Sequence, residues 1–161
     1  PKAKLTNVNM NAIDKLDKGA FSVFMGMLLL DYGNDAEKIS KATVRLSNSE
    51  AKDAQSIVDW NNNSAKLNSD KLEMVKFSQK YDKSMIDKYL EATGKTTLTS
   101  RLKKLKVTSI KDLPINGKDL TQLGFRGKII GDAMNFALSY AVNNNTNNKD
   151  KILSAVQDKF K

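Results

Sequence analysis

The residues best suited to chemistry run from Leu113 to Gly131, LPINGKDLTQLGFRGKIIG. Asn116 followed three residues later by Asp119 is a variant capping box, with Asp where Glu or Gln is usual, so a short helix is expected to start there. Leu120 and Leu123 give that helix one apolar face, and Gly124 is placed to end it in left-handed geometry. Arg126, Gly127 and Lys128 then open a second apolar-periodic run, Ile129, Ile130, Ala133, Met134 and Ala137. A helix N-terminus with unpaired N–H groups, a glycine that permits close approach and two cations is a recipe for holding phosphate. An ordinary helix hairpin with solvated charges fits the same spacing, because glycine is a common helix terminator.

Such residues need a scaffold, and the rest of the chain reads as helices joined by polar turns. Ala20 to Tyr32 is apolar on nearly every side and is expected to be a central core helix, broken by Asp31, Tyr32, Gly33 and Asn34. Ala36, Ile39, Ala42, Thr43 and Leu46 recur at helical spacing and close at Ser47 and Asn48. Ser49 then reads as the N-cap of another helix, whose inner face carries Ala51, Ala54, Ile57, Val58 and Trp60. Asn61 to Ser64 reads as a turn. Leu72, Val75 and Phe77, then Met85, Ile86, Tyr89 and Leu90, supply two more faces. Leu98, Leu102 and Leu105 form a leucine stripe ringed by Arg101, Lys103, Lys104 and Lys106, in the pattern of an amphipathic helix with a solvated cationic remainder. The polar run NNNTNN, Asn143 to Asn148, reads as a loop without chemistry, and Asp150 as the start of a last helix bearing Ile152, Leu153, Val156 and Phe160. No stretch alternates with period two, and only Pro1 and Pro114 are prolines. The expected fold is all-α, a multi-helix array in which a helical body, residues 1–94, precedes a small basic helical tail, residues 95–161.

Composition removes several chemistries. The chain has 161 residues, 40% of them hydrophobic, enough for a real core in one domain or two small units. There is no cysteine, hence no disulfide framework and no thiolate metal site. Histidine is also missing, which takes away the commonest general base and metal ligand together. Zinc hydrolysis, Cys or Ser triads and histidine phosphotransfer are therefore not expected. The longest apolar run, Phe21 to Leu30, is too short to span a bilayer. Lys2 and Lys4 precede it across a long polar stretch with no small-residue cleavage site after Leu30, so no signal peptide is expected. The expected location is the cytoplasm.

The charge of +9 is unevenly spread. Residues 1–94 carry 14 Lys and Arg against 13 Asp and Glu, whereas residues 95–161 carry 13 against 5. A polyanion is thus the natural partner of the C-terminal part, by a counterion-release mechanism that weakens with salt, although a merely solvated cationic surface has the same composition.

From Asp112 to Gly131, and again at Asn147 and Lys149, the chain resembles the C-terminal part of bacterial class II tRNA nucleotidyltransferases, the CCA-adding enzymes. The residues that carry the resemblance are Leu113, Pro114, Ile115, Asn116, Gly117, Lys118, Asp119 and Leu120, then Leu123, Gly124, Gly127, Ile130 and Gly131, then Asn147 and Lys149. Upstream, ATVRLSNSEAKDAQSI, Ala42 to Ile57, is similar to the family's helical body. Phe125 and Arg126 depart from the family, which commonly has lysine and proline there.

The resemblance implies a body and tail that hold the upper half of tRNA, the tail reaching the elbow, while a separate N-terminal head adds C, C and A to the 3′ end. Gly117, Lys118, Gly127 and Lys128 would then lie near RNA phosphate, with Arg126 as this chain's own added cation. Arg101, Lys103, Lys104, Lys106 and Lys149 would form a diffuse field around them. The head's attributes, a glycine-rich nucleotide loop, paired metal-binding aspartates, and Mg2+ with CTP and ATP, have no counterpart here. No DxD spacing occurs, so no catalytic residue, metal site or cofactor is expected in the chain itself. The expected partners are tRNA and the head and neck of a parent enzyme, with no membrane. A helix-hairpin-helix DNA-binding module and a helical protein-interaction domain remain alternatives, since both accommodate a glycine turn beside a basic surface.

Overall fold

The computed structural model describes residues 21–161; the expected helix start at Ala20, and Lys2 and Lys4, lie outside them. Among the described residues there are ten α-helices and no strand, so the all-α expectation holds. The chain divides into two compact units, Pro1–Arg101 and Leu102–Lys161.

In the first unit, α1 (Phe21–Leu28) ends in a 3-10 turn, Leu30–Asp35, and is followed by α2 (Ala36–Thr43), α3 (Asn48–Asn62), α4 (Ser64–Ser69), α5 (Lys71–Lys80) and α6 (Lys83–Ala92). Helix α3 is the hub, packing against α1, α2, α4, α6 and the 3-10 turn. Its sequence explains this: Ala51, Ala54, Ile57, Val58 and Trp60 are all buried, as the helical spacing predicts. The alanines let neighbours come close. Closest is Gly26 of α1, where an added Cβ would stand 2.7 Å from the Ile57 Cβ and 2.8 Å from the Ala54 carbonyl oxygen. Met25, Leu29, Ala36 and Leu46 complete this core with α3.

Several boundaries differ from expectation. The cap of α3 is Ser47 and not Ser49: the Ser47 hydroxyl accepts from the Glu50 N–H, and the Glu50 carboxylate accepts from the Ser47 N–H, a complete capping box. Only Ser47 has a glutamate three residues on. Helix α2 stops earlier than Leu46, because Arg45 turns left-handed (φ 56°) and the Leu46 N–H returns to the Ser40 carbonyl. The expected turn at Asn61–Ser64 shrinks to a single junction residue, Asn63, between α3 and α4.

One polar side chain knits this unit across long sequence distances. Buried Gln55 donates to the Gly33 carbonyl (3.0 Å) and to Asp59 (2.7 Å), and accepts from the Glu37 N–H (2.8 Å). Asp59 also accepts from the Tyr81 hydroxyl. Burial, and then that hydrogen bond, push the Tyr81 hydroxyl well above the ordinary phenol range, so it stays a donor throughout the neutral region.

The second unit holds a 3-10 turn, Ile110–Asp112, and three helices after α7 (Leu98–Leu102): α8 (Gly117–Gln122), α9 (Lys128–Asn143) and α10 (Lys149–Phe160). Helices α9 and α10 form a hairpin, with α8 and the 3-10 turn against α9. Leu120, Ala133, Ala137, Ala141, Val142, Ile152 and Val156 make its apolar interior. Phe160 sits edge-on to Phe136 and Phe125, at ring separations of 5.8 and 6.3 Å.

Candidate nucleic-acid interface

The expected turn geometry between Asn116 and Gly131 is present. The Asn116 side chain accepts from the N–H groups of Lys118 (2.8 Å) and Asp119 (3.2 Å), and the Asp119 carboxylate accepts from the Asn116 N–H (2.8 Å). At the other end of α8, Gly124 is left-handed (φ 92°). Its N–H reaches the Thr121 carbonyl and the Phe125 N–H the Leu120 carbonyl, the paired bonds of a Schellman motif. Phe125 is thereby turned inward and is 6% exposed, so the departure from lysine at this position supplies core and not charge.

Gly127 follows at φ 61°, ψ −136°, a conformation open to glycine alone, and no side chain caps α9 behind it. The two helix starts are therefore not alike. At α8, Asn116 already occupies two amides and a carboxylate sits beside them, conditions that disfavour a phosphate. At α9, the first turn carries no acid, and Arg126, Gly127 and Lys128 are all exposed. The better anion-binding end is that of α9. Gly117, expected to lend its backbone to phosphate, is the half-buried first residue of α8, and an added Cβ there would meet Ile130 at an ordinary contact distance of 3.7 Å.

Lys149, the first residue of α10, reaches back thirty residues to donate to Asp119 at 2.7 Å, binding the starts of α8 and α10 together. This hydrogen bond, and then that from the Asn116 N–H, hold the Asp119 carboxyl below its ordinary value. Lys149 is thus a positioning cation whose charge is already matched.

Lys103, Lys104 and Lys106 are exposed but do not lie on a helix, because α7 ends at Leu102. The leucine stripe survives as buried Leu98 and Leu102 with half-buried Leu105, while the lysines occupy the following turn. That turn is held by Asn145, whose amide donates to the Lys104 carbonyl (3.1 Å) and accepts from the Lys106 N–H (2.9 Å). The NNNTNN run therefore has structural work that its composition hides. Asn145 itself is left-handed (φ 45°) and ends α9, and Asn148 caps α10 by accepting from the Lys151 N–H.

These placements split the expected field. The Lys104–Lys106 turn is fastened at the C-terminal end of α9, and Arg126, Gly127 and Lys128 stand at its N-terminal end, about 24 Å away along a sixteen-residue helix. Arg101 belongs to the first unit, where its guanidinium lies 5.6 Å from the Trp60 ring centre and donates to Asn68 and to the Thr96 carbonyl. Sequence spacing gave no sign of that engagement. Among the described residues, Lys103, Lys104, Lys106, Lys118, Arg126 and Lys128 form no ion pair, so their charge faces outward. In the first unit, by contrast, Lys41, Lys66, Lys76 and Lys80 lie against Glu37, Glu73 and Asp59.

Among the described residues there is no cluster of three or more potential metal-ligating side chains, and no helix is long and apolar enough to cross a membrane. No curated protein and no solved structure matches the chain. The family model for tRNA nucleotidyltransferase domain 2 matches residues 26–156, taking in the α3 hub, the α8 turns and most of α10. A match over that much of 161 residues places the chain in the tRNA nucleotidyltransferase domain 2 family.

Proposed function

We propose that the chain is the tRNA-binding body and tail of a bacterial class II, CCA-adding enzyme, acting in the cytoplasm and carrying no catalytic site of its own. It holds the backbone of the acceptor arm, T arm and elbow while a separate head and neck, supplied with Mg2+, CTP and ATP, add C, C and A. The observation that carries this reading is the family match, which spans both units. The outward, unpaired cations of the second unit support it, since a partner recognised by backbone and shape needs charge without base-specific contacts.

In this reading the α9 start grips one phosphate through its amides, with Arg126 and Lys128 adding charge-assisted contacts. Lys118 extends that contact from α8. Lys103, Lys104 and Lys106 contact a separate stretch of backbone about 24 Å away. Lys149 shapes the surface from behind, and Arg101 acts through the first unit.

Filter binding of bulk tRNA across a range of salt tests this. Affinity should fall steeply with salt, and Lys118→Ala combined with Arg126→Ala should flatten the log–log slope by about 2, one for each lost phosphate contact. No tRNA affinity at low salt, or an unchanged slope in the double variant, would overturn the proposal. Duplex DNA bound as tightly as tRNA would favour the DNA-binding alternative. A stable protein partner without nucleic-acid affinity would favour an interaction domain. Nucleotide addition by the chain alone would contradict the non-catalytic assignment.

A further inference from the structure

The phosphate reading leaves one chemically reactive pair unused: Asn116 and Gly117, the chain's single Asn-Gly sequence. We propose that this pair is a spontaneous modification site, a deamidation held off by the capping box in which Asn116 takes part. The glycine matters because its nitrogen, unshielded by a neighbouring Cβ, can approach the preceding side chain. In the reaction the Gly117 nitrogen attacks the Asn116 Cγ. A new N–Cγ bond forms, the Cγ–Nδ2 bond breaks, and ammonia leaves with the proton that the backbone amide gives up. Water then opens the five-membered imide at either carbonyl, leaving an aspartyl residue in the normal backbone or an iso-aspartyl link with one extra backbone carbon. No other reactant is required.

Three observations show how the native fold restrains this step. Ring closure requires the Cβ of Asn116 and the Gly117 nitrogen to eclipse each other about the Cα–C bond, and at ψ 178° they are staggered. The Asn116 Oδ1 is pinned by the N–H groups of Lys118 and Asp119, which turns the side chain along α8. The Asn116 N–H is held by Asp119, itself anchored by Lys149 at 2.7 Å. Reaction therefore needs the cap to open first, and its rate is the unrestrained rate scaled by the open population. Both side chains of the box are exposed enough for water to reach the imide once it forms: Asn116 is exposed and Asp119 half-buried.

Peptide mapping by mass spectrometry after incubation of the full chain in mildly alkaline buffer tests this without any RNA. Three arms are compared: the folded chain, the chain in concentrated urea, and folded Asp119→Ala. The urea arm should convert fastest at Asn116, and the folded chain slowest. Asp119→Ala should convert about fivefold faster than the folded parent, the opening factor expected from loss of an N-cap interaction. Lys149→Ala, which leaves the box intact but removes its outer anchor, should fall between, and circular dichroism confirms that each variant is folded. Equal rates in the folded and urea arms, or no acceleration in either variant, would overturn the proposal. So would conversion that begins in the Asn143–Asn148 run before Asn116. Because the readout is a mass change, its failure is separable from any failure to bind tRNA.

Discussion

The two units solve the same problem, making a stable surface from short helices, by different means. In Pro1–Arg101 one helix is buried on several sides and partners approach it to the limit set by Gly26 against Ile57 and Ala54. In Leu102–Lys161 the helices are joined by tightly specified ends: the Asn116 box, the left-handed Gly124 and Asn145, and the Asn148 cap. A sixty-residue unit buries a smaller share of its surface than a larger domain, so each cap is a larger part of its stability. Acids are used differently as well. In the first unit Glu37, Asp59 and Glu73 sit against lysines while Glu50 caps a helix, and in the second Asp112 and Asp119 accept hydrogen bonds within their own turns, Asp119 also pairing with Lys149. Two of the second unit's five carboxylates are thus structural acceptors, and its exposed lysines and Arg126 keep an uncompensated positive charge.

The contrast can be broken most directly at Gly26. Gly26→Ala should cost about 3 kcal/mol, since the new methyl meets a Cβ and a carbonyl oxygen that cannot swing away. Denaturant unfolding followed by the fluorescence of Trp60, the chain's one tryptophan and a first-unit residue, would measure it. A loss below about 1 kcal/mol would mean that close approach does not limit this unit. Next in size is Gln55→Leu, expected to cost about 2 kcal/mol by the same assay, because the Glu37 N–H and the Gly33 carbonyl lose their partner.

In the second unit Asn116→Ala should cost about 1 kcal/mol, the usual value of a cap, and should speed amide exchange of Lys118 and Asp119 more than that of the α9 interior. Acid sharpens the same point. The Asp119 and Asp112 carboxyls are held below their ordinary value, so their contribution is complete above about pH 4 and is lost as pH falls through the lower folded values. The main cause at Asp112 is the hydrogen bond from the Thr108 N–H. Amide shifts of Asn116 and Thr108 followed by NMR should move only in strong acid, and a midpoint at the ordinary aspartate value would refute both bonds. Least of all, Lys76→Ala should change stability by under about 0.5 kcal/mol, since its pair with Glu73 is exposed and shares that carboxylate with Lys66.

What the sequence made legible was local. The α3 face, the Asn116–Asp119 box and the Gly124 stop all depend on residues within about one helical turn of each other, and periodicity and cap rules read them correctly. What it hid was non-local. Arg101 meets Asn68 and Trp60, Lys149 meets Asp119, and Asn145 meets Lys104 and Lys106 across some thirty to forty residues, with no spacing rule to announce them. Those partnerships decide which cations are committed and which are available. Residue type alone therefore grouped ten candidates that the fold separates into two surface patches, a positioning lysine and a first-unit arginine.

The asparagine run between α9 and α10 shows what that separation implies. Asn144 returns its amide to the Tyr140 carbonyl, Asn145 turns the chain and clasps residues 104 and 106, and Asn148 starts the next helix. Three copies of one side chain hold three posts that are not interchangeable in position, although they are identical in chemistry. The stretch is consequently tolerant of what it is made of only within narrow bounds, but intolerant of how long it is. Removing one asparagine from 143–145 would leave the composition almost untouched and put Thr146 at the post of Asn145, releasing the lysine turn from its clasp. It behaves as a measured spacer written in a repetitive alphabet.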